Sequence, residues 1–239
     1  MQGLMAITKQ CGTPSDTLQL IADPVGAGLA SLLFGELAER LIEGDYVSKR
    51  PGKIFVDHFF DNPIAASYIA FLAVHNPHIR RPATLAQLAL LTNLPGGGIV
   101  RPDIVTDQVG VKEYYEIKPD SAAGLAAGRA KMMAIDAFMG TFRLVYPRGG
   151  GYAPASSIPL GSGTIPTVGG PVPFTATLEA SRLSPGLIQW RVCVETDFLL
   201  IGVTALVIIA IIILVIITKR LPGRLPPIPI PRGLPVPLF

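Results

Sequence analysis

From residue 199 to residue 218 the chain carries no Asp, Glu, Lys or Arg and is built almost entirely from Ile, Leu, Val and Ala. Roughly 20 such residues are what the hydrocarbon core of a bilayer requires of a helix. A core helix of that length in a globular domain would keep one polar side, and this stretch has none. It is therefore expected to form a transmembrane helix over 198–218, with the membrane as a partner. The stretch is also the main source of the high mean hydropathy of +0.48. Charge divides at the same place. The whole chain is +3, yet residues 219–239 hold Lys219, Arg220, Arg224 and Arg232 and no acid, so residues 1–197 carry −1.

That balance excludes a generic basic nucleic-acid binder. Any contact with a polyanion must use local clusters, and Lys49, Arg50 and Lys53 together with Arg80, Arg81 and Arg101 are the candidates. Each cluster reads equally well as ordinary solvated surface. Cys11 and Cys193 are far apart and have neither metal nor redox spacing, so no disulfide framework and no zinc site is expected. His58, His75 and His78 form no ligand pattern and are expected to be structural or superficial. Residues 1–17 contain no basic n-region followed by an apolar h-region, and are read as a loosely ordered arm rather than a signal peptide.

The chemistry concentrates in residues 101–118. Two β-forming runs, 99–106 and 111–118, flank Asp107, Gln108 and Gly110, which is how a hairpin reads. Asp103 falls on the first strand. Glu116 and Lys118 fall on the second, where the period-2 alternation sends both to one face and Ile117 to the other. Two carboxylates and an ammonium are then expected to converge. Such a site suits a hard divalent cation, which takes oxygen ligands and keeps waters and an open position for a phosphate oxygen. The backbone carbonyl of Ile117 is a further candidate ligand. Lys118 can orient or help deprotonate a water, and can offset charge in a phosphorane-like transition state. The bland alternative is a Glu–Lys pair on a solvated strand face.

Pro102-Asp103, twelve intervening residues, then Glu116-Ile117-Lys118 followed by a helix resembles the PD-(D/E)xK nuclease superfamily, the restriction-endonuclease-like fold. The resemblance spans residues 23–195 in outline. It implies an α/β fold with an α-β-β-β-α-β core, here with a helical insertion and an extra β-hairpin, and one C-terminal transmembrane helix outside it. It implies hydrolysis of DNA phosphodiester bonds, or RNA in its place, with Mg2+ or Mn2+ held by Asp103, Glu116 and the Ile117 carbonyl, and Lys118 as the catalytic lysine. Many relatives add an acid from the first helix, which here makes Glu36 a third ligand, with Glu39 in reserve. They also carry a polar residue on the helix after the motif, and Lys131 and Arg129 are the nearest equivalents. With Arg101 they are the expected nucleic-acid contacts. A Q-x-x-x-Y pattern on that helix is absent.

The remaining elements follow from pattern. Asp23-Pro24 reads as the start of a helix running to about Glu43 and stopped by Gly44. Glu36 falls nearer the apolar stripe than Glu39, although an i,i+4 pair with Arg40 explains it equally well. Residues 53–60 read as a strand and residues 65–74 and 84–91 as an inserted helical hairpin. The glycines of 93–98 match neither a P-loop nor a dinucleotide fingerprint. Residues 121–139 read as a crossover helix whose Gly124 and Gly128 permit close approach to the sheet. Residues 141–146 are expected as a parallel strand, 148–173 as a long loop, and 174–180 with 187–195 as a hairpin.

The expected organisation is thus an arm (1–16), a nuclease domain (17–197), a membrane helix (198–218) and a stiff proline-rich tail (219–239). Lys219 and Arg220 would put that tail in the cytoplasm and export the domain. The tail-anchored orientation does the reverse. A delivered nuclease toxin or effector resolves the conflict, with an immunity protein or a delivery apparatus as partner. A homodimer is a further candidate arrangement.

Overall fold

A computed structural model describes residues 8–13, 24–50, 54–56, 64–93, 100–108, 110–167 and 170–196. The expected membrane helix, the proline-rich tail, the glycine-rich stretch after Asn93 and His58 lie outside them. Among the described residues no helix is long and apolar enough to cross a membrane. The chain is mixed α/β, with strands β1 (Thr8–Gly12), β2 (Ile54–Val56), β3 (Ile104–Gln108), β4 (Val111–Pro119), β5 (Ile158–Thr167), β6 (Gly170–Ser184) and β7 (Leu187–Thr196). Its helices are α1 (Pro24–Lys49), α2 (Ile64–His75), α3 (Pro82–Asn93) and α4 (Ala122–Thr141). It divides into two compact units.

The first unit comprises residues up to Ala38, Ser156–Glu179 and the chain from Trp190 onward. Its strands run in the order β5-β6-β7-β1. The stretch read as a loose arm supplies β1, which pairs antiparallel with β7 so that Cys11 lies opposite Cys193. The two cysteines form a disulfide across 182 residues of sequence, which corrects the expectation of a fold without staples. Spacing could not reveal it, because the pair is made by strand register. Lys9 and Arg191 flank it, both paired with Glu179. The Pro- and Gly-rich stretch read as a loop forms β5 instead. It is an edge strand, where a proline's missing N–H costs no ladder bond. A register shift between Pro159 and Gly161 absorbs the positive φ of Gly161.

The second unit, Glu39–Ala155 with Ala180–Gln189, holds the expected hairpin. β2, β3 and β4 pair antiparallel, and the turn closes at Gly110, whose φ of 82° suits glycine. Residues 113–117 of β4 are buried on both faces, as a central strand requires. On one face Tyr68, Leu72, Leu88, Val105, Tyr114, Met132, Ile135 and Phe138 make a continuous core under α2, α3 and α4. Each fully buried apolar side chain of this size contributes about 1.5–3 kcal/mol relative to exposure. On the other face Tyr46 of α1 packs edge-on against Tyr152, 4.7 Å between rings, and both contact Tyr115.

Two element boundaries differ from expectation. Gly44 does not stop α1, which continues to Lys49. An interior glycine costs about 1 kcal/mol. Here the added turn buries Tyr46, whose hydroxyl donates to Glu113 Oε1 at 3.2 Å, and lets Asp45 accept from the Tyr152 hydroxyl at 2.6 Å. Residues 142–146 form no strand. They alternate buried Phe142, Leu144 and Tyr146 with exposed Arg143 and Val145, so the period that suggested a strand is present without a ladder. The parallel return shrinks to one bridge between Arg148 and Tyr114. There the Tyr114 N–H donates to the Pro147 carbonyl and the Gly149 N–H to the Tyr114 carbonyl.

Candidate active site

The hairpin register pairs Ile104 with Tyr115, and continuing it by one residue sets Asp103 opposite Glu116. Asp103 lies just before β3 rather than on it. Its Oδ2 accepts the Ile117 N–H at 2.6 Å, so a side chain takes over where the ladder ends. Glu116 and Lys118 share a face of β4, as the alternation requires. Lys118 pairs with Glu116 Oε1, stands 3.6 Å from Asp103 Oδ2, and donates to the Ile117 carbonyl at 2.9 Å. That carbonyl, expected as a metal ligand, already carries a hydrogen bond.

The helix that follows completes the cluster. Ser121 caps α4 by accepting the Gly124 N–H. Gly124 sits against the Pro119 carbonyl, where a Cβ would come within 2.6 Å. Gly128 sits against Lys118 Cγ and Leu187 Cδ1, each 2.9 Å from where a Cβ would be. The two glycines let α4 lie close on β4, as read from the sequence. One turn on, Lys131 Nζ stands 2.9 Å from Asp103 Oδ1 and 2.9 Å from Glu116 Oε1. From α1, Glu39 Oε1 is 3.9 Å from Lys118 Nζ. Glu39, held in reserve, is thus the acid of α1 that the structure brings to the lysine, while Glu36 lies three residues earlier on that helix. Arg129 is exposed and Arg101 half-buried.

Burial and charge set the protonation states. Glu116 is fully buried, and burial, reinforced by the negative charge of Asp103, lifts its carboxyl to about 7. Asp103 is equally deep, but the Lys118 and Lys131 charges and the Ile117 N–H outweigh burial and hold it below the usual carboxylate range. Burial opposes the charge on both lysines, and the surrounding carboxylates overcome it, so both are held above their ordinary value. Both ammoniums meet Glu116 through Oε1, while Glu116 Oε2, also buried, has no hydrogen-bond partner.

The donor set fits a hard divalent cation. Two carboxylates approach a common cation between them, and a buried carboxylate oxygen lacks a partner, which ordinarily costs about 1–3 kcal/mol. The sequence points to Lys131 as a nucleic-acid contact but not to its place between the two acids. The signal was there: it follows Gly128 by three residues, which puts it on the same helical stripe facing the sheet. Cys11, Glu179 and Cys193 also cluster, but the sulfurs are consumed by the disulfide. No family model, curated protein or solved structure matches the chain.

Proposed function

We propose that the chain is a metal-dependent nuclease of the restriction-endonuclease-like type, hydrolysing phosphodiester bonds, with DNA as the substrate. The observation that supports this most is the convergence of Asp103, Glu116 and Lys118 in one buried cluster, in the sequence order the PD-(D/E)xK pattern requires. Asp103 and Glu116 would hold Mg2+ or Mn2+, with Glu39 better placed than Glu36 to add a carboxylate. The metal supplies Lewis-acid polarisation of the phosphate and an activated water. Lys118 keeps its proton at neutral pH, so its part is to orient that water and to neutralise negative charge as it builds on the phosphate, rather than to remove a proton.

The Cys11–Cys193 disulfide favours the orientation that puts residues 1–197 on the non-cytoplasmic side, because disulfides persist in oxidising compartments. It agrees with Lys219 and Arg220 facing the cytoplasm and with a protein delivered or exported, partnered by an immunity protein or a delivery apparatus.

A second reading, a catalytically idle nuclease-like fold serving as a membrane-anchored adaptor, is favoured by one observation. Lys131 already places a positive charge against both carboxylates without a metal. Metal binding separates the two. Full-length protein in mild detergent, titrated with Mn2+ and followed by electron paramagnetic resonance, binds one ion if the site is catalytic, and Asp103→Ala abolishes it. An adaptor takes up no Mn2+ and is indifferent to that change.

A further inference from the structure

Lys131 stands between Asp103 Oδ1 and Glu116 Oε1, 2.9 Å from each, a place where a cation shared by those two oxygens would be held. We infer that Lys131 is an internal placeholder for the divalent metal, so that metal entry and release of the Lys131 ammonium are a single exchange. The inference rests on the metal-site reading above.

Formal charge argues for exchange over addition. With all three acids ionised, as metal binding requires, Glu39, Asp103 and Glu116 against Lys118 and Lys131 leave one negative charge. A divalent ion entering with both lysines in place makes the buried cluster net positive, whereas its entry with Lys131 displaced leaves it neutral. A buried excess charge is expensive. Space argues the same way, because an ion held by both oxygens would compete with Nζ for the same place.

The movement belongs to the side chain. Gly124 and Gly128 hold α4 against Pro119, Lys118 and Leu187 with no room for a Cβ, so the helix cannot shift inward, and the flexible stem of Lys131 must swing. Its side chain is already 16% exposed, which gives it an outlet to water. The freed ammonium lies beside the metal, placed to meet a phosphate oxygen of the substrate. Lys131 is then a positioning residue that offsets the charge of the two acids without metal and contributes a phosphate contact with it. Lys118 is less suited to the exchange, being tied to the Ile117 carbonyl and to Glu39 as well.

The test reads the amine itself. Full-length protein is treated with an acetylating reagent in EDTA and in Mg2+, and modification at each lysine is measured by peptide mass spectrometry, with Mn2+ binding checked on the same sample. Without metal, Lys131 reacts slowly compared with Lys112, which is more exposed. Saturating metal raises Lys131 modification on the order of tenfold and leaves Lys112 unchanged. Lys131→Gln then binds Mn2+ on the order of tenfold more tightly, having no charge to displace. Protein that binds Mn2+ while Lys131 reactivity and the Lys131→Gln affinity stay at their original values overturns the exchange and leaves the metal site standing. Failure of any form to bind Mn2+ overturns both. The wild-type labelling decides the matter even if Lys131→Gln does not fold.

Discussion

Gly128 of α4 rests on the stem of Lys118 in β4, where an added Cβ would come within 2.9 Å of Lys118 Cγ. The contact ties the position of the helix to that of the candidate catalytic lysine. A glycine in a helix ordinarily gains about 1 kcal/mol on replacement by alanine, while overpacking a close contact costs about 1–3 kcal/mol.

Gly128→Val is therefore expected to destabilise the protein by about 1–3 kcal/mol in urea denaturation and to displace Lys118, lowering cleavage in proportion. Gly140→Ala, on the same helix with nothing within 4 Å of its added Cβ, is the control and is expected to be neutral or stabilising.

The buried carboxyl of Glu116 makes metal-free stability depend on pH. Folded Glu116 keeps its proton up to about 7, whereas unfolded it releases it near 4.5. The folded state then binds more protons in that window, so stability falls as pH rises from 4.5 to 7, by on the order of 3 kcal/mol. Glu116→Gln is expected to flatten that slope in urea midpoints measured in EDTA. Asp103 acts in the opposite sense: its folded value is depressed, and its contribution is lost as pH falls below about 3.8. Lys118 and Lys131, both raised, contribute fully below 10.5 and lose that contribution only above it.

Purified without reductant, the protein is expected to show no titratable thiol in denaturant, and two after reduction, because Cys11 and Cys193 are joined. Cys11→Ser is expected to cost about 2–5 kcal/mol, with protease sensitivity appearing first at β1. Equal susceptibility of reduced and oxidised protein would contradict a structural role for the bond.

The sequence carried the centre of this fold better than its margins. Local chemistry was enough for the Asp103–Glu116 hairpin, for Ser121 as the cap of α4, and for Gly124 and Gly128 as points of close approach. It failed where distant partners decide. Gly44 reads as a stop until Tyr46 finds Glu113 and Asp45 finds Tyr152, and those bonds lie 67 and 107 residues away in sequence. Pro159, Gly161 and Pro166 read as a loop because the edge position that tolerates them is a property of the assembled sheet. Lys131 and Arg129 read as equal candidates for a nucleic-acid contact until α4 docks and sets Lys131 between the acids. Residues 142–146 show the converse: alternation records which side chains are buried and not whether a neighbouring strand is there to pair.

The central claim is that Asp103, Glu116 and Lys118 form a working hydrolytic site. Its most direct test is incubation of the full chain with supercoiled plasmid in Mg2+ or Mn2+, beside Asp103→Asn, Glu116→Gln and Lys118→Met. Nicking and linearisation by the parent, absent in EDTA and lost by at least about a hundredfold in each variant, is the predicted result. Folded parent protein that cleaves neither DNA nor RNA with either metal, or variants that cleave as fast as the parent, would contradict it.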